Sequence, residues 1–234
     1  MKFIAKGNTA EIFDYGADKV CKLFYPGYPF ETVHVEFQHA TLLQNMNLPV
    51  PICYEYVCIN NRYGIVYEKI RGTNLINKLT DHAQYKKIVQ IIVSTHKKFL
   101  KHEHSKIPSY KEFIRNTVSN QEVDVLKKLK ELPEGNHLCH GDFHPGNIMF
   151  DENGQIKVID FMNLCRGPKE YDIARTYYLI GFSKLPKEIE FTKDFQVLRK
   201  RLAEDYLQEM DIPLNNIAPF LPLIEICHMY ETSK

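Results

Sequence analysis

Apolar and polar positions alternate through the first seventy residues and then change to helical spacing. Residues 11–14 and Lys19–Phe24 are short alternating runs joined by Tyr15-Gly16-Ala17-Asp18, a pattern that predicts a β-hairpin. Residues 52–59 and 63–69 predict a second hairpin, turning at Asn60-Asn61-Arg62, where asparagine tolerates positive φ. Between the hairpins Val33, Phe37 and Ala40 recur three and four residues apart and predict a helix over residues 31–45. Leu48-Pro49-Val50-Pro51 ends it, because a residue before proline avoids the helical region.

Arg71-Gly72-Thr73-Asn74 interrupts the strands, and helical patterning follows. Residues 83–102 carry Ile88, Ile91, Ile92, Thr95 and Phe99 on one face, and residues 121–132 carry Val125, Leu126 and Leu129. A strand pair around Phe150 and Ile156 turns at Asp151-Glu152-Asn153-Gly154, and helices return at residues 171–182 and 194–210. The tail, residues 215–231, is apolar on one side but broken by Pro219 and Pro222, so periodicity alone leaves its shape open. The pattern predicts an α+β chain: a β-rich N-terminal lobe over residues 1–70, then a mainly helical lobe over residues 71–234, hinged near residues 68–72.

Composition narrows the class. At 234 residues with 44% hydrophobic and 25% charged residues, the chain can bury a real core and is not disordered. A formal net charge of +1 argues against a nucleic-acid partner recruited by bulk charge. The six cysteines form no C-x-x-C pair, which suits free thiols in a reducing compartment. The start, MKFIAKGNTAEIF, does not read as a signal peptide, and no apolar run approaches the ~18 residues of a membrane span. The expectation is a cytoplasmic protein with no membrane partner.

The candidate chemistry sits in Leu138-Cys-His-Gly-Asp-Phe-His-Pro-Gly-Asn-Ile-Met-Phe150 and in Val158-Ile-Asp-Phe161. Two apolar β-type runs each deliver a carboxylate, Asp142 and Asp160, and Asn147 follows Asp142 by five residues. In-line phosphoryl transfer needs such a set: one carboxylate orients the attacking hydroxyl, and an amide oxygen with a second carboxylate holds Mg²⁺. Any one of the three alone could simply satisfy turn backbone. Lys22 lies in an otherwise apolar strand, Val20-Cys-Lys-Leu-Phe24, and a buried ammonium needs partners, for which Glu36 on the predicted helix is the best placed. The alternative is a strand lysine facing solvent. Lys6-Gly7-Asn8-Thr9-Ala10 could turn backbone N–H groups onto phosphates, or be an ordinary turn, since it holds one glycine. His137, His140 and His144 have a spacing that superficially suits zinc. The structural reading has His140 bonding loop backbone and His144-Pro145 shaping the turn, with Asp172 bracing the loop from behind.

These residues resemble the aminoglycoside phosphotransferase and choline kinase family, whose members share the two-lobed protein-kinase-like fold. His140-Gly-Asp-Phe-His-Pro-Gly-Asn147 is similar to that family's catalytic loop, and Val158-Ile-Asp-Phe161 to its metal-binding strand end. Residues 7–13 resemble the phosphate loop, Val66-Tyr-Glu-Lys-Ile-Arg-Gly72 the hinge strand, and residues 167–175 the segment after the metal site. The resemblance implies ATP, or GTP in its place, with Mg²⁺, and a small-molecule hydroxyl as acceptor. Asp142 would accept the hydroxyl proton, and Asn147 and Asp160 would bind Mg²⁺. Lys22, held by Glu36, would contact the α- and β-phosphates, covered by amides near Thr9 and Ala10. Adenine would meet backbone at Glu68 and Ile70, between Ile12, Met149 and Ile159. Asp160-Phe-Met-Asn163 lacks the glycine that protein kinases place after the Phe, and Gly141 stands where they usually carry Arg. Both departures point to a small-molecule kinase.

The acceptor is not legible. From Phe161 onward eleven acidic residues face ten basic ones, which does not speak for a strongly anionic pocket suited to a polycation. Tyr177, Tyr178 and Tyr230 could contribute to an aromatic cage for a choline-like amine. Two other classes stay open: a zinc hydrolase built on His137, His140 and His144, and a nucleotide-binding scaffold without chemistry.

Overall fold

The computed structural model describes residues 1–79, 83–184 and 192–233. Its N-terminal elements are β1 (Phe3–Lys6), β2 (Ala10–Asp14), β3 (Lys19–Phe24), α1 (Phe30–Asn45), β4 (Cys53–Ile59), β5 (Arg62–Glu68) and β6 (Gly72–Asn74). Three helices follow, α2 (Tyr85–Leu100), α3 (Tyr110–Thr117) and α4 (Val123–Glu131), and then β7 (His137–Cys139), β8 (Ile148–Asp151), β9 (Ile156–Val158) and β10 (Cys165–Gly167). The chain closes with α5 (Lys169–Gly181), α6 (Lys193–Met210), α7 (Leu214–Ile217) and α8 (Leu221–Thr232). Two compact units result: Met1–Thr73 joined by Ile148–Met162, and the remaining described residues. Glu188 and Glu190, two of the acidic residues counted above, lie outside the described residues.

The first unit is an antiparallel sheet of order β1-β2-β3-β5-β4, with α1 against β4 and β5. Its hairpins turn where the sequence predicts. Gly16 and the Asn60-Asn61 pair adopt positive φ, the conformation a tight connection between twisted strands requires. Inner strand β5 buries four successive residues, Gly64 to Tyr67, instead of alternating. Gly64 is obligatory there, because a Cβ would stand 2.9 Å from the Cys21 sulfur. Val33, Ala40 and Leu43 of α1 cover the sheet with Phe24, Ile65 and Val66. Strand β1 is an exposed edge, and β8 and β9 join a second sheet of order β6-β8-β9. The Val158 N–H donates to the Pro49 carbonyl at 2.7 Å and anchors β9 in this unit.

The second unit is helical around one buried helix. Ten of the thirteen residues of α5 are buried, including Asp172 and Arg175. Helix α6 packs beside it at Gly181, where an added Cβ would come within 2.9 Å of the Ala203 methyl. Helix α2 buries the predicted face through Ile88, Ile92, Thr95 and Phe99. Strands β7 and β10 pair antiparallel, with Cys139 opposite Cys165, so the strand entering the candidate loop is fixed on one side by β10.

Several elements exceed what the hydrophobic pattern predicts. Helix α3 starts at a capping box in which the Ser109 side chain accepts from the Glu112 N–H while Glu112 accepts from the Ser109 N–H. Strand β10 is only three residues long, too short to show a period. In the tail, Pro219 separates α7 from α8, and Pro222 falls in the first turn of α8, where its missing N–H has no intrahelical partner to lose. Among the described residues no helix is long and apolar enough to cross a membrane.

Candidate active site

In the first unit the site begins with Lys22. Strand β3 pairs Lys22 with Ile12 on one side and Ile65 on the other. Its Nζ donates to both Glu36 carboxylate oxygens, at 2.8 and 2.9 Å, and to Asp160 Oδ1 at 3.1 Å. Tyr67 on β5 donates its hydroxyl to Glu36 Oε1 at 3.1 Å. Glu36 is sealed from solvent, Lys22 nearly so, and the Asp160 side chain is 39% exposed. Burial pushes the ammonium toward the neutral form, but the carboxylates of Asp160 and Glu36 outweigh it and raise its pKa. Burial leads for Glu36 and raises its pKa despite the opposing charge of Lys22.

Asp160 follows β9 at φ 69, in the left-handed region that a residue with a side chain enters at a cost of about 1–3 kcal/mol. The next residue is held from α1: buried His39 bonds the Phe161 carbonyl through Nδ1 at 2.9 Å. A carbonyl only accepts, so Nδ1 carries the proton. Ile12, Ile70, Met149 and Ile159, the residues expected around a base, are all half-buried members of this unit, as is Thr9, while Ala10 is buried at the start of β2. The Glu68 N–H donates to the Ile52 carbonyl at 2.8 Å, so only its carbonyl could serve an adenine.

The second unit builds the loop from His140 to Asn147, and side chains hold the backbone of His140, Gly141, Asp142 and Gly146 in it. Asp172 Oδ2 accepts from the His140 N–H at 2.7 Å, and Oδ1 from the Gly141 N–H at 2.9 Å. His96 Nε2 donates to the same carboxylate at 2.9 Å, its Nδ1 lies 2.7 Å from the Tyr206 hydroxyl, and its ring stacks on Phe143. Burial raises the Asp172 pKa, but the His96 hydrogen bond and charge, with the Gly141 N–H, bring it below the ordinary value. Arg175 Nε donates to the Gly141 carbonyl. Gly141 itself sits at φ 76, and a Cβ there would meet the Asn163 carbonyl oxygen at 2.1 Å, so only glycine fits.

Asp142 is the half-buried product of this scaffold. Its N–H donates to His140 Nδ1 at 3.2 Å, and Asn147 Nδ2 donates to its carbonyl and to its Oδ2, both at 2.9 Å. His144 Nδ1 accepts from the Gly146 N–H at 3.1 Å, while Nε2 lies 3.7 Å from Asp142 Oδ2, beyond hydrogen-bond distance. Burial would raise the Asp142 pKa, but His144, Arg175 and His140 together hold it well below the usual carboxylate range. The side chain is half-buried, with 27% of its surface exposed, and its neighbours favour the ionised form.

The structure thus joins Lys22, Glu36 and Asp160 within one unit, and Asp142 and Asn147 within the other. Asp172 braces the loop as its place in the sequence suggests. The three histidines take separate tasks. His137 Nδ1 is 3.9 Å from Glu103, His140 sets its ring against Phe99 and Phe143, and His144 shapes its turn. Among the described residues no three His, Cys, Asp or Glu side chains are grouped to hold a metal ion. The tyrosines considered for a cage have separate partners: Tyr177 packs on Phe182, Tyr178 on His228, and the Tyr230 hydroxyl donates to Glu122. Sequence reading missed His39, His96 and the role of Arg175. The available signal was a charged or imidazole group on an otherwise apolar helical face, with His39 three residues after Glu36 and Arg175 three after Asp172.

A model of the phosphotransferase enzyme family, APH, matches residues 1–208, and the chain belongs to that family. Probable choline kinase 2 of Arabidopsis thaliana is 30% identical over 118 residues, covering 44% of this chain and 31% of that protein. The chain therefore spans under a third of the length of this curated relative. Aminoglycoside phosphotransferase APH(3'')-Id from Streptomyces rimosus superimposes with a TM-score of 0.67 at 13% identity, covering 97% of this chain and 92% of that one. The same enzyme in complex with ADP and streptomycin gives 0.60 at 14% identity, covering 90% and 87%. The fold is the protein-kinase-like α+β fold of the aminoglycoside phosphotransferases.

Proposed function

We propose that this chain is a phosphotransferase that moves the γ-phosphoryl group of ATP to a hydroxyl of a small molecule. The observation that carries the reading is Asp142, a half-buried carboxylate kept ionised by its surroundings and aimed by Asn147 through two hydrogen bonds. Asp142 accepts the proton of the acceptor hydroxyl as that oxygen bonds to the γ-phosphorus and the bond to the ADP oxygen breaks. Keeping Asp142 ionised guarantees an empty acceptor at every physiological pH. It makes Asp142 a weak base, whose main work is to orient the hydroxyl.

Each unit offers one donor whose chemistry suits Mg²⁺. Asn147 directs its NH₂ group at Asp142, which leaves its amide oxygen for a hard cation, and Asp160 offers an exposed carboxylate with one oxygen bonded to Lys22. Asn147 and Asp160 would hold the ion, which when bound neutralises phosphate charge. Lys22, positioned by Glu36, would carry the α- and β-phosphates, with the turn that Gly7 closes onto the Ala10 carbonyl supplying amides near Thr9 and Ala10. Glu68 and Ile70 would meet the base, flanked by Ile12, Met149 and Ile159; GTP is the competing donor. The test is ADP release from Mg·ATP across choline, aminoglycosides, sugars and nucleosides. Turnover with one acceptor class is expected, and none with any acceptor, alongside tight ATP binding, would leave a scaffold.

A further inference from the structure

The last helix reaches back to the candidate loop through one carboxylate. Glu231, in the final turn of α8, accepts from Arg175 Nη2 with both oxygens, at 2.7 and 2.9 Å. Its Oε1 also accepts from Asn163 Nδ2 at 3.2 Å, and His228 Nδ1 stands 3.6 Å from Oε2. Both main partners touch Gly141. Arg175 donates Nε to the Gly141 carbonyl, and the Asn163 carbonyl oxygen is the atom that forbids a side chain at Gly141. Arg175 is 1% exposed and lies over the Phe113 ring, so losing its partner leaves a buried charge poorly compensated.

We infer that Glu231 is a positioning residue for Asp142, acting through Arg175 and Asn163 on the Gly141 peptide. The geometry holds the peptide between Gly141 and Asp142 from three sides, one of them the Asp142 N–H on His140 Nδ1 at 3.2 Å. Asp172 fixes its N-terminal side through the His140 and Gly141 N–H groups, and Arg175 fixes the carbonyl. Asp172 and Arg175 belong to the same helix, three residues apart, and Asp172 is braced by His96. Arg175 has Glu231 as its charge partner, so removing that carboxylate frees the guanidinium to swing and the carbonyl to rotate. The burial of the pair keeps the bond unscreened: burial alone would raise the Glu231 pKa, and the Arg175 charge brings it down. Tyr230, on the same turn of α8, donates instead to Glu122 near the start of α4.

This inference rests on the phosphotransferase reading for its catalytic consequence, but not for the clamp itself. The test compares Glu231→Gln, Glu231→Asp and Glu122→Gln in the full chain. Amide hydrogen exchange over residues 138–147 is expected to speed up about tenfold or more in Glu231→Gln, and to stay at the wild-type rate in Glu122→Gln. Hydrolysis of Mg·ATP with water as acceptor is expected to lose about 10- to 100-fold in kcat in Glu231→Gln, with the KM for ATP within about twofold of wild type. Glu231→Asp restores part of both. Unchanged exchange in Glu231→Gln, or equal effects of Glu122→Gln and Glu231→Gln, overturns the inference and leaves α8 a packing element. If the wild type releases no ADP with any acceptor, the phosphotransferase reading fails and the catalytic half falls with it, while the exchange result still decides the clamp.

Discussion

Asn147 Nδ2 bonds both the backbone carbonyl and the carboxylate of Asp142, so one amide fixes the side chain's direction relative to its own backbone. The same bonds orient Asn147 and leave its oxygen pointing elsewhere. A substitution at Asn147 should therefore injure aim and metal affinity together. Asn147→Ala is expected to raise the Mg²⁺ concentration for half-maximal ATP-dependent thermal stabilisation about tenfold or more. An unchanged Mg²⁺ requirement would remove Asn147 from the metal's ligands.

Gly141→Ala should be damaging although it removes no polar group. The left-handed backbone alone costs a residue with a side chain about 1–2 kcal/mol, and the contact at 2.1 Å with the Asn163 carbonyl is with backbone that cannot rotate away. The expected outcome is a lowered denaturation midpoint and loss of turnover, read by urea unfolding and ADP release.

Asp172 carries a signed pH dependence. Its folded pKa lies below the unfolded one, so its ionised form stabilises the fold above about pH 4, and the contribution drains away as pH falls through the folded value. Asp172→Asn keeps the shape but sets an NH₂ group or a neutral oxygen against the His140 and Gly141 N–H groups, for a loss of about 1–3 kcal/mol at neutral pH. The gap between variant and wild type should shrink between about pH 5 and pH 2, measured as the urea midpoint.

Lys22 and Glu36 separate folding from nucleotide binding. Lys22→Met leaves Glu36 buried with Tyr67 as its remaining partner, at a loss of about 3–5 kcal/mol. Without the ammonium the already raised Glu36 pKa rises further, so this variant should gain stability relative to wild type on mild acidification. Lys22→Met with Glu36→Gln should recover most of the stability. Neither variant should show the thermal shift with Mg·ATP that the wild type shows.

The parts of the fold legible in the sequence were those with local causes. Asn60-Asn61 and Gly16 marked turns by their conformational freedom, and α1 and α2 declared themselves by period. The Lys22 to Glu36 pair followed from a single charge in an apolar strand, since such a charge must find an opposite one. What stayed hidden depends on partners far along the chain. Arg175 and Glu231 meet across 56 residues, and His96 and Asp172 across 76, and neither pair has a local signature. The tail helices were obscured by Pro222, which reads as a breaker until its place in the first turn is known. The Ser109-x-x-Glu112 box was legible and would have announced α3.

The most direct measurement is transfer of labelled γ-phosphate from Mg·ATP to the acceptor that supports ADP release, compared between wild type and Asp142→Asn. The expected result is a loss of about 10²- to 10⁴-fold in kcat, with ATP-dependent thermal stabilisation retained. Transfer by Asp142→Asn at the wild-type rate would contradict the central role given to that carboxylate.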